Sequence, residues 1–67
     1  MTRRLDWADY RTTEFHGLDA ENVIAILPTA AIEQHGPHLP VGVDTMIAEG
    51  MLAELRNRCP DDLDIRI

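Results

Sequence analysis

The rhythm of apolar and polar residues changes along the chain, and each change predicts an element. Trp7, Tyr10, Phe15 and Leu18 fit one face of a short helix over 7–18, with Asp6 placed as its N-cap and Gly17 as its stop. Val23-Ile24-Ala25-Ile26-Leu27 is a continuous apolar run rich in β-branched residues. That pattern predicts a strand covered on both faces in a parallel sheet, with Pro28 ending its regular pairing. From Thr45 to Arg58, Ile47, Ala48, Met51, Leu52 and Leu55 recur at helical spacing, while Glu49, Glu54, Arg56 and Arg58 fall mostly on other faces. Glu54 and Arg58 stand in the favourable i,i+4 order, and Pro60 prevents the helix from running further. Leu63-Asp64-Ile65-Arg66-Ile67 then alternates like a strand.

Strand, loop, helix and strand make one βαβ unit, so the expected class is α/β with a parallel sheet. Two strands and a helix leave apolar faces without covering layers. A compact domain of 67 residues buries only about 60% of its unfolded surface, and the single cysteine excludes an internal disulfide. Residues 1–67 are therefore expected to form the N-terminal part of one larger, truncated domain.

Charge narrows the partners. Six arginines, no lysine and twelve acidic residues leave a net charge of -6, the wrong sign for phosphates or anionic lipid. Neither nucleic acid nor membrane is expected as a partner. The basic start Met1-Thr2-Arg3-Arg4 reads as a solvated, mobile terminus, because Leu5-Asp6-Trp7-Ala8-Asp9 interrupts the apolar stretch that a signal peptide needs. A cytoplasmic protein is the expectation.

The segment from Thr29 to Val43 combines prolines, glycines and His35 and His38, a composition that suits a structured loop. Long loops in compact domains tend to carry function, and this one leaves the carboxyl end of a parallel strand, where open α/β sheets bind ligands. In extended backbone, Glu33 and His35 share a face, a spacing suited to metal ligation. Gly36-Pro37 turns the chain, and Pro40 restricts Leu39. Asp44 stands where the loop enters the helix. It can cap the exposed N–H groups, ligate a cation, or do both. Glu33, His35 and Asp44 form a mixed oxygen and nitrogen set that suits Zn²⁺, Mn²⁺ or a similar divalent ion.

Blander roles cover the other candidates. Gln34 positions the loop, and His38 either orients a neighbouring group or braces the loop. His16 reads as a solvated residue or a favourable charge at a helix end. Cys59 reads as a small packing residue rather than a nucleophile. Trp7, Tyr10 and Phe15 read as core in preference to a partner surface.

Ala25-Ile26-Leu27-Pro28, followed by Ile32-Glu33-Gln34-His35-Gly36-Pro37-His38-Leu39-Pro40 and Val41-Gly42-Val43-Asp44-Thr45, resembles the signature region of the creatininase family. The resemblance implies a three-layer α/β/α sandwich with a parallel sheet, and homo-oligomeric assembly when intact. It implies a centre of two divalent metal ions, zinc or manganese, that hydrolyses the C–N bond of a cyclic or linear small-molecule amide such as creatinine, with water held between the ions. Carried over by motif position, Glu33 binds one metal, His35 the other, and Asp44 bridges them. The family's further histidine and glutamate ligands come from well downstream, and no histidine follows Asp44 here. Alone, the chain is expected to be inactive. The alternative reading is a metal-binding or protein-packing module without catalysis.

Overall fold

The structure, a computed structural model, describes residues 4–67. The reading of Met1, Thr2 and Arg3 as a solvated terminus lies outside the described residues. In chain order there are 3-10 turns at Trp7–Asp9 and Thr12–Phe15, strand β1 at Val23–Ala25, helix α1 at Val43–Arg58 and strand β2 at Asp64–Arg66. The strands pair in parallel, with Val23 opposite Asp64, Ile24 opposite Ile65 and Ala25 opposite Arg66. The chain is thus α/β, with a two-stranded parallel sheet and one helix in the expected order.

Both strands are shorter than the sequence pattern, and backbone hydrogen bonds extend them. Ile26 N–H donates to the Arg66 carbonyl at 2.8 Å, so β1 stays attached until just before Pro28. On the other side of β2, Ile67 N–H donates to the Leu5 carbonyl at 2.9 Å and Trp7 N–H donates to the Ile67 carbonyl at 2.7 Å. The N-terminal segment therefore covers the far edge of β2. Ile65, flanked on both sides, is 7% exposed, and Leu5 is 2% exposed.

The expected helix over 7–18 does not form. Tyr10 and Arg11 are extended, with φ/ψ of -93°/142° and -80°/154°, and split the segment into its two turns. The β-branched pair Thr12-Thr13 weakens helix propensity there. The spacing 7, 10, 15, 18 also contains a five-residue step that no helical face repeats. The aromatic rings still meet, with Trp7 to Phe15 at 4.6 Å and Tyr10 to Phe15 at 5.8 Å between centroids. Their cluster lies at the surface rather than in a core, and Trp7 is 47% exposed.

Asp6 holds the N-cap position of the first 3-10 turn, but its side chain makes no cap hydrogen bond. Its carboxylate instead accepts from Arg56 Nε at 3.0 Å and Nη2 at 2.8 Å, tying the last turn of α1 to the N-terminal segment. Arg4, read as a solvated residue, is also engaged: its guanidinium pairs with Glu14 and lies 4.5 Å from the Tyr10 ring centroid. The Arg66 guanidinium sits 4.3 Å from the same centroid and donates through Nε to Asp64 at 2.9 Å. Its Nη1 is buried without an oxygen acceptor, and the Tyr10 π-face is the electron-rich group beside it.

Helix α1 has apolar residues on more than one face. Ala48, Leu52 and Leu55 are half-buried, whereas Met46, Ile47 and Met51 are exposed. Strands of three residues cannot cover a helix of sixteen, and among the described residues the substantial packing between elements joins β1 to β2. β1 is likewise uncovered: Ile24 is exposed, and Leu27 just beyond the strand is 87% exposed, against the expectation of cover on both faces. The radius of gyration is 15.2 Å. A compact chain of this length has about 11 Å. Among the described residues no helix is long and apolar enough to cross a membrane.

Candidate metal centre

The loop between β1 and α1 is built by local hydrogen bonds. Glu33 N–H donates to the Val41 carbonyl at 3.0 Å, closing the loop at its base. Val43 N–H donates to the Pro40 carbonyl at 3.2 Å, and the Thr45 hydroxyl reaches the Ala31 carbonyl at 3.5 Å, joining the start of α1 to the strand side of the loop. Gly36 has φ +77°, in the left-handed region that glycine enters without a Cβ penalty. Its N–H donates to Gln34 Oε1 at 2.9 Å.

Those bonds place the three residues singled out from sequence together. One ligand-type atom from each of Glu33, His35 and Asp44 lies within 4.8 Å of the others. Among the described residues this is the one group of three or more such side chains. Glu33 is exposed, and the side chains of His35 and Asp44 are 28% and 37% exposed, so the cluster is open to solvent.

The His35 ring is held at both nitrogens. Nδ1 is 3.0 Å from the Glu33 carbonyl oxygen, which can only accept, so Nδ1 carries a hydrogen. In neutral imidazole that leaves a lone pair on Nε2, which lies 3.1 Å from Asp44 Oδ1. Two acceptors facing each other need a cation between them, either a second ring proton or a metal ion. Two ligand atoms each about 2.1 Å from one ion stand about 3.0–3.4 Å apart, for right-angle to tetrahedral geometry. The observed separation fits that range. The Nδ1–H to carbonyl bond is also the outer contact that metal-bound histidines use to fix their tautomer.

Asp44 is the second residue of α1, and the N-cap position belongs to Gly42, with no side-chain cap hydrogen bond. The expectation of Asp44 as a cap is therefore not met. Its carboxylate still lies in the first turn, where the helix dipole favours negative charge. His38 is exposed and stands outside the cluster, with its ring 3.6 Å from where a Cβ on Gly36 would lie. The loop-bracing role fits that position. His16 is exposed at the end of the second 3-10 turn, with its N–H bonded to the Thr13 carbonyl. Cys59 closes α1 through a backbone bond to the Leu55 carbonyl at 2.9 Å.

The sequence reading missed the backbone closure from Glu33 to Val41, since no side-chain pattern announces which carbonyl an amide finds. A separate groove of about 330 Å³ opens at the carboxyl ends of the strands, lined by residues that include Trp7, Leu27, Pro28 and Ile67. It contains none of the three candidate ligands.

A family model described as creatinine amidohydrolase matches residues 8–65. No curated protein and no solved structure matches the chain.

Proposed function

The chain belongs to the creatininase family, and from that premise we propose that it carries the Glu33, His35 and Asp44 arm of an amidohydrolase metal centre. The carrying observation is His35 Nε2 set 3.1 Å from Asp44 Oδ1, a contact that a divalent cation satisfies as well as a second ring proton does. Glu33, His35 and Asp44 would hold the cation, whose chemistry would be Lewis-acid polarisation of an amide carbonyl and activation of water at neutral pH without a serine or cysteine. The chain's own residues supply its surroundings. Glu33 and Asp44 offer anionic oxygens, the Glu33 carbonyl holds the His35 tautomer, and the closed loop keeps the donors close before any ion arrives.

The finer reading is a binuclear zinc or manganese centre acting on a small cyclic or linear amide in a cytoplasmic homo-oligomer. The three donors of this chain suffice for one ion with open positions, so a second ion needs donors beyond this group. That shortfall favours the other reading as well, a module that binds metal or packs against protein without turnover.

Competition of the full chain against a chromophoric chelator for Zn²⁺ tests the centre. Stoichiometric uptake is expected, sharply weakened by His35→Ala and by Asp44→Asn, and falling on acidification because the ligands must be deprotonated. Equal affinity in the parent and both variants would remove the proposal. Assay of creatinine and of linear amides with Zn²⁺ or Mn²⁺ supplied separates the two readings, since uptake without hydrolysis supports the module.

A further inference from the structure

Gln34 lies between two of the candidate ligands in sequence, and its side chain is committed to the loop that carries them. The Gly36 amide is a donor, so the atom it meets at 2.9 Å is the carboxamide oxygen, which fixes the orientation of the amide group. The bond runs from residue 34 to residue 36 and closes a small ring around the backbone of His35. Glycine tolerates φ of either sign, so Gly36 alone does not choose the value of +77° that it adopts. Something must select it. Pro37 restricts Gly36 from the next position without setting the sign of its φ, and the Gln34 carboxamide supplies a directional bond to its amide. Selecting the Gly36 turn also sets the His35 backbone, and hence where Nε2 arrives relative to Asp44, 3.1 Å away.

We propose that Gln34 is a positioning residue of the metal arm: by accepting the Gly36 N–H, its carboxamide oxygen fixes the left-handed turn that aims the His35 ring at Asp44. The role rests on the metal-centre reading for its consequence, but the clamp itself acts before metal binds. A side chain of similar length without an acceptor, Gln34→Met, removes it. Gln34→Glu keeps an acceptor oxygen at the same place.

The test uses the full chain, with far-UV circular dichroism and dispersed amide shifts confirming that each variant keeps the parent fold. Without metal, Gly36 amide exchange measured by NMR should speed up about 2- to 10-fold in Gln34→Met, the worth of one ordinary hydrogen bond. It should stay at the parent rate in Gln34→Glu. Co²⁺ affinity, measured by competition, should fall about 10- to 100-fold in Gln34→Met, as for other groups that orient metal ligands. Rescue by Gln34→Glu is read on exchange alone, because its added charge attracts the cation independently. Unchanged Gly36 exchange in Gln34→Met, or equally fast exchange in both variants, overturns the clamp. Faster exchange with parent-like Co²⁺ affinity overturns the positioning role and leaves a loop brace. No Co²⁺ uptake by the parent overturns the metal-centre reading and the positioning role together, and the exchange data then decide the clamp separately.

Discussion

Replacing Gly36 with alanine, and Gly17 with alanine as its control, separates strain in the metal loop from strain in general. Both glycines have φ of +77°. A residue with a Cβ held in that region costs about 1–2 kcal/mol. Steric crowding adds little at either place: a Cβ on Gly17 meets nothing within 4 Å, and one on Gly36 meets the His38 ring at 3.6 Å, an ordinary contact. The two substitutions should therefore destabilise the chain to a similar, small extent. Their effects on metal must differ. Gly17 lies in the turn that follows the second 3-10 segment, whereas Gly36 directly follows His35 and is bonded to Gln34. If the loop relieves strain at position 36 by leaving the left-handed region, His35 Nε2 moves off Asp44, and the strain reappears as lost affinity. About 1–2 kcal/mol corresponds to about 5- to 30-fold weaker Zn²⁺ binding for Gly36→Ala. Gly17→Ala should bind within about 2-fold of the parent, since changes at distant sites with no shared partners act independently. Chelator competition measures both. Equal affinities in the two variants, whether both weakened or both intact, would refute the claim that the Gly36 turn aims the ligands.

Two other consequences concern the body of the chain. Hydrogen bonds from Arg4 first, and then from the Arg11 side chain and backbone, lower the Glu14 carboxyl from its usual 4.5 to about 2. A group with a depressed folded-state pKa contributes stability that is fully present above pH 4.5 and is lost as the pH falls toward 2. Glu14→Gln should flatten the acid limb of unfolding over that window, and an unchanged acid limb would show that the pairing does not survive in solution. Ile65 is 7% exposed and is one of two buried apolar residues among those described, so Ile65→Ala should cost about 2 kcal/mol, the low end for truncation of a buried isoleucine, because so open a site collapses easily. Denaturant titration reads the loss, and a variant as stable as the parent would mean that the β1–β2 pair is not the centre of what core there is.

What was legible in the sequence was local. Helix α1 was expected from Thr45 and begins at Val43, because a regular apolar period followed by Pro60 is written within the helix itself. Gly42, not Asp44, occupies the N-cap, and composition gives no sign of that choice. The strands were placed correctly and drawn too long, since an apolar run records what a strand can bury and not what lies beside it to cover it. The aromatic segment was misread because ring-to-ring contact across two 3-10 turns imitates a helical face on paper. Asp6 does hold the N-cap position of the first 3-10 turn, but its carboxylate pairs with Arg56, 50 residues away, and no local pattern encodes so distant a pairing. Glu33, His35 and Asp44 lie near one another because an i,i+2 pair and the first turn of the following helix are joined by a loop that its own hydrogen bonds close.

The same division between local and distant contacts bears on what the metal arm can do. Every bond that shapes the loop joins residues at most 14 apart: Glu33 to Val41, Gln34 to Gly36, His35 to Glu33 and Asp44, and Thr45 to Ala31. Contacts that would cover the apolar faces of α1 and β1 are the ones lacking, and Met51 is 69% exposed. Ligand placement therefore depends little on the covering layers. Catalysis by the proposed centre would depend on them strongly, because charge stabilisation gains most where water is excluded. Metal affinity and turnover should accordingly separate: additions that bury α1 and the loop should raise hydrolysis far more than they raise Zn²⁺ affinity. Parallel measurement of both quantities on the chain and on an assembly that covers α1 checks this. An affinity gain as large as the gain in turnover would mean that the loop is not pre-organised and that the covering layers build the ligand set itself.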